Sequence, residues 1–244
     1  MAVSVRLAID EPALERYLAA HVSAVSLPVT ISQFSFGQSN PTYLLTDSTK
    51  QRYVLRKKPP GKLLSRTAHR VEREYRIMLA LGSMDTDVPV PKMYCLCNDE
   101  SVLGTPWYLM EYLDGRIFED AVMPSVEPGE RAAMWQDAIQ TLAKFHAFNP
   151  AALGLDDFGH KGDFYDRQLV TWKKICDVQA NTRDVETGVP VGPLPHMEEL
   201  VHFFGQKHAG SKRPLDLSTL VHGDFKIDNL VFHRSEPRVI GIIE

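Results

Sequence analysis

The sequence predicts an α+β fold with a strand-rich first part and a mainly helical second part. Two observations predict it. Short runs of apolar residues bounded by turn residues occur between residues 29 and 112, whereas apolar residues recur at helical spacing in long runs beyond residue 115. This order favours two lobes of one fold, residues 1–112 and 113–244, with a cleft between them.

The elements of the first part alternate between helix and strand. Asp10-Glu11-Pro12 predicts a helix start, and the apolar residues that follow it predict an amphipathic packing helix. Asp47-Ser48-Thr49-Lys50 predicts a turn between two strands. The predicted strands are residues 29–36, 42–46, 51–57, 92–97 and 107–112, with a helix at 68–81.

The second part has three predicted helices and a strand pair near its end. The helices are residues 130–148, 167–180 and 197–207, and the segment 181–195, rich in Gly and Pro, is predicted as a loop. Apolar runs at 218–221 and 230–232 predict two short strands around a polar loop. Residues 239–243 predict a last strand.

Composition and charge exclude several classes of function. The chain has 244 residues, 44% of them hydrophobic, which is enough for a substantial core. A net charge of -4 gives no general attraction to nucleic acid, so a small molecule is the expected partner. No run is long enough for a membrane span. Three cysteines without a disulfide pattern favour a reducing interior; the cytoplasm is the default, and mitochondrial or peroxisomal targeting stays open.

The loop His222-Gly223-Asp224-Phe225-Lys226-Ile227-Asp228-Asn229 carries the main functional signal. An Asp and an Asn five residues apart between strands are typical of a phosphoryl-transfer site, where the carboxylate orients a hydroxyl and the amide oxygen binds magnesium. The motif therefore predicts a kinase with Asp224 and Asn229 in those roles. Lys226 is a candidate for neutralising the transferred phosphate, and His222 is interpreted as structural.

The turn Gly37-Gln38-Ser39-Asn40 joins two predicted strands. Successive backbone N–H groups in such a turn can bind phosphate oxygens. An ordinary hairpin turn has the same composition, so the sequence leaves both interpretations open here.

Arg56 lies near the end of the predicted strand 51–57. Side-chain alternation places it on one face with Val54, while Leu55 and Lys57 point the other way. We expect Arg56 to bind nucleotide phosphates. The alternative is a solvated strand end whose charges protect a sheet edge.

Glu74 falls on the apolar stripe of the predicted helix 68–81. A carboxylate on a buried face needs a cationic partner, and Arg56 on the preceding strand is the predicted one. The alternative is a surface pair with Arg70, four residues earlier.

The segment that joins the two parts runs from Trp107 to Gly115. It reads as a buried strand that ends in a turn, and backbone groups of Glu111 and Leu113 are candidates for binding an adenine edge. The last strand of a sheet is the alternative.

Together these motifs resemble the aminoglycoside phosphotransferase and choline kinase family. The resemblance extends from about Leu14 to Ile243, and the run Arg56-Lys57-Lys58-Pro59-Pro60-Gly61 narrows it to the kinase-like domain at the N-terminus of acyl-CoA dehydrogenase family members ten and eleven. It implies a bilobal, protein-kinase-like fold that binds ATP and Mg²⁺, with a nucleotide-binding first lobe and a catalytic second lobe. It also implies an ATP-dependent phosphotransferase acting on a small-molecule hydroxyl, with a hydroxyacyl thioester of coenzyme A as an expected acceptor.

The sequence departs from the family pattern at Glu244. The family has a magnesium-binding Asp after the strand that here is residues 239–243, and further helices beyond it, so the resemblance implies a truncated second lobe. Glu244 is the second expected metal ligand, beside Asn229. Two hypotheses therefore stay open: an active small-molecule kinase, and a catalytically impaired module that binds a nucleotide or a partner.

Overall fold

The computed structural model describes residues 2–3, 9–34, 40–60, 70–84, 86–206 and 217–244. They form two compact units, residues 1–155 with 220–244, and residues 156–219. These units divide the chain elsewhere than at 112/113, and the predicted lobe boundary stays a prediction.

The first unit contains a six-stranded antiparallel sheet in the order β1-β2-β3-β4-β6-β5. The predicted strands are confirmed to within a few residues at their ends, and the turn predicted at 47–50 joins β3 to β4. The strands are β1 (Ala2–Val3), β2 (Thr30–Phe34), β3 (Thr42–Thr46), β4 (Arg52–Lys57), β5 (Met93–Cys97) and β6 (Trp107–Glu111).

Three helices accompany the sheet: α1 (Glu11–His21), α2 (Val71–Ser83) and the short α3 (Glu100–Leu103), which the sequence did not predict. The Asp10 carboxylate caps α1 by accepting a 2.9 Å hydrogen bond from the backbone N–H of Ala13. Helix α2 begins at Val71. The predicted start at residue 68 lies outside the described residues.

Side chains of β4 and β6 alternate between two apolar clusters. Leu55 and Leu109 belong to the cluster that contains Leu14 of α1. Val54 and Met110 belong to the cluster that includes Val71 and Met78 of α2, as does Tyr108. Because side chains alternate along a strand, Arg56 shares the α2 side with Val54. The second cluster fixes α2 beside β4, which positions the candidate site.

The second structural group of the first unit is α4 (Pro128–Ala147) with the hairpin of β7 (Leu230–Phe232) and β8 (Val239–Ile242). Arg116 exchanges backbone hydrogen bonds of 2.7 and 2.8 Å with Phe232, which ties the segment after β6 to this hairpin. A Cβ at Gly115 would overlap the carbonyl oxygen of Phe232, so only glycine allows this approach.

The strand predicted at 218–221 is wrong. These residues have no regular structure, although Leu220 is buried. Phe232 of β7 pairs with Val239 on one side and with Arg116 on the other, so both edges of β7 are occupied there. The motif loop therefore precedes one strand and does not lie between two.

The second unit contains α5 (Phe164–Ala180) and α6 (Met197–Gly205). Every residue of the two helices is described, and none is buried. Apolar side chains such as Val170, Trp172 and Phe203 are exposed on them. Across the described ranges of the chain, no helix is both long and apolar enough to cross a membrane.

Candidate active site

The motif loop presents Asp224 to solvent and buries Asn229. Residues Ile227–Asn229 form a 3-10 turn directly before β7, which places Asn229 at the base of the loop. Its Nδ2 donates to the main-chain oxygen of Asp224 at 2.9 Å and to carboxylate Oδ2 at 3.3 Å. The Asp224 side chain nevertheless remains 65% exposed. Asn229 thus fixes the carboxylate without covering it.

Lys226 lies between two carboxylates of the same loop. Its Nζ is 3.2 Å from Oδ2 of Asp228 and 3.7 Å from Oδ2 of Asp224. The hydrogen bond to Asp228 is the main cause that raises the pKa of Lys226 above its ordinary value. The ammonium is half-exposed, so it remains accessible to an anion beside Asp224.

His222 packs between its own loop and α4. Its ring lies 5.7 Å from that of Phe145 and 5.2 Å from that of Phe225, measured between centroids. Nδ1 accepts a 3.3 Å hydrogen bond from the backbone N–H of Asp224, which places the proton of the neutral ring on Nε2. Burial lowers the pKa of His222. Among the described residues, Nε2 has no hydrogen-bond partner.

Arg56 is 5% exposed and lies between two carboxylates. Its Nε is 3.1 Å from Oε2 of Glu74, and its Nη2 forms an ion pair with Oε1 of Glu244. The N–H direction at Nε does not meet hydrogen-bond geometry, so the contact with Glu74 is electrostatic. Burial by itself would lower the pKa of Arg56, but Tyr108, Glu74 and Glu244 outweigh it and raise that pKa.

Glu74 has two further polar contacts. Asn40 Nδ2 donates to Oε1 and the Tyr108 hydroxyl donates to Oε2, both at 3.0 Å. Asn40 was predicted as part of a phosphate-binding turn, and the structure shows its side chain on Glu74. Tyr108 was not predicted at all. The available signal was the alternation of β6, which places Tyr108 on the same sheet face as Arg56.

The two expected metal ligands flank the open end of the β7–β8 hairpin: Asn229 directly precedes β7, and Glu244 is the second residue after β8. The backbone N–H of Ile243 donates to the carbonyl of Asn229 at 3.0 Å, which brings Glu244 beside Asn229. The Asn229 amide nitrogen points to Asp224, so its oxygen faces away, and Arg56 contacts one of the two carboxylate oxygens of Glu244. An amide oxygen and a carboxylate are hard ligands, and magnesium bound with water and phosphates needs few of them. These are ligand types that magnesium takes, and the metal roles of Asn229 and Glu244 stay predictions.

The remaining predicted residues belong to the nucleotide side. Gly37, Gln38 and Ser39 lie outside the described residues. The Glu111 backbone N–H donates to the carbonyl of Lys92 at 2.8 Å, which leaves only its carbonyl for an adenine edge. Leu113 lies two residues later, and its side chain occupies the space above Gly241, where a Cβ would overlap it. The binding roles of these residues stay predictions.

Known proteins of similar sequence carry a much longer chain. The acyl-CoA dehydrogenase IBR3 of Arabidopsis thaliana is 45% identical over 96% of this chain and 28% of its own length. Acyl-CoA dehydrogenase family member 10 of Mus musculus is 41% identical over 98% of this chain and 21% of its own. The chain thus spans about a quarter of the length of these relatives.

Solved structures of similar fold and one family model are also known. A crystal structure from Ralstonia eutropha assigned to the aminoglycoside phosphotransferases has a TM-score of 0.78 and 38% identity, covering 97% of this chain and 64% of that one. The streptomycin–ATP complex of APH(2″)-IIa has a TM-score of 0.59 at 16% identity, over 98% of this chain and 71% of that one, which shows the fold alone. The model of the phosphotransferase enzyme family matches residues 30–243. The chain belongs to the phosphotransferase enzyme family and has its α+β, kinase-like fold.

Proposed function

We propose that the protein transfers the terminal phosphoryl group of ATP to a hydroxyl group of a small molecule. The observation that carries this proposal is the exposed Asp224 carboxylate, which Asn229 holds at 3.3 Å beside the half-exposed Lys226. Residues 1–112 then supply the nucleotide side of the site and residues 113–244 the catalytic side.

Asp224 orients the acceptor and takes its proton. As the acceptor oxygen bonds to the terminal phosphorus, the bond between that phosphorus and the bridging oxygen breaks, ADP leaves, and the hydroxyl proton passes to the Asp224 carboxylate. Lys226, 3.7 Å from that carboxylate, lies where it can neutralise charge on the transferred group. Both side chains are exposed, as contact with a diffusing substrate requires.

Arg56 binds phosphate on the nucleotide side. Glu74 holds its Nε edge, and Nη2 faces Glu244, so the guanidinium presents donors toward the hairpin that carries the loop. Asn229 and Glu244 would hold Mg²⁺, which neutralises phosphate charge when bound. The ATP complexes of structural neighbours support this use of the fold.

We further propose a hydroxylated acyl thioester of coenzyme A as the acceptor. Support comes from the names of the similar proteins, which are acyl-CoA dehydrogenases, and from identities of about 40% over nearly all of this chain. An antibiotic acceptor has weaker support, because the neighbours solved with streptomycin, gentamicin or hygromycin B are below 20% identical.

The test is ADP formation from MgATP with a panel of hydroxyacyl-CoAs, the free hydroxy acids and an aminoglycoside. Turnover that depends on a hydroxyacyl-CoA and is lost in Asp224→Ala supports both the phosphotransferase activity and the proposed acceptor. The matched control is Asp177→Asn, which removes an exposed carboxylate of α5 whose partner is Lys173.

The alternative is a module that binds nucleotide without transferring phosphate. The ion pair of Arg56 with Glu244 favours it, since this contact engages the carboxylate that magnesium would need during phosphoryl transfer. Thermal stabilisation by ATP with no turnover on any acceptor would support the module and overturn the kinase.

A further inference from the structure

We propose that Tyr108 and Asn40 are positioning residues that hold Glu74 in place, so that Arg56 is oriented for nucleotide phosphate before any nucleotide binds. The inference deepens the proposed function and rests on it. Its basis is a largely buried polar cluster formed by four elements: the segment before β3, strand β4, helix α2 and strand β6.

The first step is the register of the sheet. Arg56 of β4 is directly opposite Tyr108 of β6, and the two side chains lie on the face that α2 covers. Tyr108 is fully buried, yet its hydroxyl reaches Oε2 of Glu74 at 3.0 Å. The same carboxylate oxygen lies 3.1 Å from Nε of Arg56. Tyr108 and Arg56 thus meet at one oxygen.

The second step is the other oxygen of Glu74. Asn40 Nδ2 donates to Oε1 at 3.0 Å, and Asn40 is buried two residues before β3, the strand that pairs with β4. A carboxylate that accepts a donor on each oxygen has a fixed rotation about its last bond. Neither donor is a cation, so neither competes with Arg56 for the negative charge.

The third step is what this fixed carboxylate does to Arg56. The contact at Nε is electrostatic and lacks hydrogen-bond direction, so it does not orient the guanidinium by itself. With Oε2 fixed by the hydroxyl of Tyr108, the Nε edge is held on α2 and the Nη edge faces Glu244. Burial, with Glu74 nearby, raises the pKa of Tyr108 well above its usual range, so Tyr108 remains a neutral donor.

The test compares two tyrosine-to-phenylalanine variants in the same sheet. Tyr108→Phe removes the donor to Glu74, and Tyr53→Phe removes a buried hydroxyl that donates to the carbonyl of Ala24 at 2.6 Å in the α1 cluster. Both lose a buried hydroxyl together with its hydrogen bonding, so similar losses of thermal stability are expected. Only Tyr108→Phe should weaken MgATP binding, by about tenfold in calorimetric titration, because a hydrogen bond to a charged group is lost.

A second readout does not need nucleotide. In the free protein, backbone amides of α2 should exchange hydrogen faster in Tyr108→Phe than in Tyr53→Phe, since Tyr108 links Glu74 of α2 to β6. Equal nucleotide affinity and equal α2 exchange in both variants would overturn the positioning role while the wild type still binds MgATP. A wild type that binds no nucleotide would overturn the proposed function, and the role in orienting Arg56 for phosphate with it.

Discussion

The two sides of the candidate site differ in how their charged groups are held. On the nucleotide side, Arg56 and Glu74 are enclosed by strands and α2, with the neutral donors Asn40 and Tyr108 around them. On the loop side, Asp224 and Lys226 are exposed, and one buried amide, Asn229, orients the carboxylate. Substitutions on the enclosed side should therefore change folding and binding together, whereas those of the exposed Asp224 and Lys226 should change chemistry alone.

The largest effect is expected at Asp224. Asp224→Asn keeps the shape of the side chain and removes the proton acceptor, so kcat should fall by about 10³-fold, within the range of general base catalysis. The midpoint of thermal unfolding should stay unchanged, because the side chain is exposed. Steady-state kinetics and calorimetry on the same sample measure both. A marked loss of stability would show that the two sides do not differ as described.

Glu74→Gln should give the largest loss of stability on the enclosed side. The substitution leaves Arg56 without one of its two carboxylates, and we expect a decrease of about 2 to 3 kcal/mol in the free energy of unfolding, less than for a fully buried pair because Glu74 is partly exposed. Urea unfolding measures it. Glu72→Gln, two residues earlier on α2, is the matched control and should be close to neutral. Equal losses in the two variants would contradict the importance of the Arg56 pair.

Arg56→Lys tests whether the enclosed side needs a guanidinium. A lysine has one nitrogen and cannot meet Glu74 and Glu244 with separate ends, so affinity for MgATP should decrease about fivefold to tenfold. Arg52→Lys, at the other end of β4 and partly exposed, is the control and should bind as the wild type does. Unchanged affinity in Arg56→Lys would mean that one point charge is sufficient.

The smallest effect is expected for His222 and depends on pH. Burial lowers its pKa in the folded state, so the folded protein binds this proton less readily than the unfolded chain does. Its contribution to stability is present above the unfolded value of about 6.5 and is lost as pH falls through the folded pKa. Thermal unfolding between pH 7.5 and 5 should show a smaller decrease in stability for His222→Gln than for the wild type. Parallel curves would show that protonation of His222 does not oppose folding.

The sequence predicted the residues whose spacing and order carry a mechanism. Asp224 and Asn229 followed from their separation on one loop, and the contact between Arg56 and Glu74 followed from a carboxylate on an apolar stripe, which required a cation nearby. Tyr108 escaped prediction because a tyrosine in an apolar strand fits a core, and only the register with Arg56 shows where its hydroxyl lies. For Asn40 the sequence predicted only a backbone contact with phosphate, because no local pattern indicates that its side-chain amide reaches α2.

Two other features depended on long-range pairing. The prediction of a strand at 218–221 was wrong. At Phe232 the edge of β7 opposite β8 pairs with Arg116, which lies more than 100 residues earlier in the chain. The ion pair of Arg56 with Glu244 joins residues at distant positions of the chain, and no local pattern predicts it. Local periodicity therefore predicted the helices and strands, whereas the pairing of strand edges and the ion pairs between distant residues required the tertiary structure.

The register of the β7–β8 hairpin has a consequence for how this site can vary. Leu230 pairs with Ile242 and Val231 with Gly241, but Phe232 pairs with Val239, so Ile240 is an extra residue in β8. Residues on the turn side of this bulge can be gained or lost while Asn229 and Glu244 keep their places. A single insertion between the bulge and Glu244 would reverse which face of the sheet the glutamate occupies and separate it from Arg56. Length variation is thus tolerable at the turn and destructive within the three residues before Glu244.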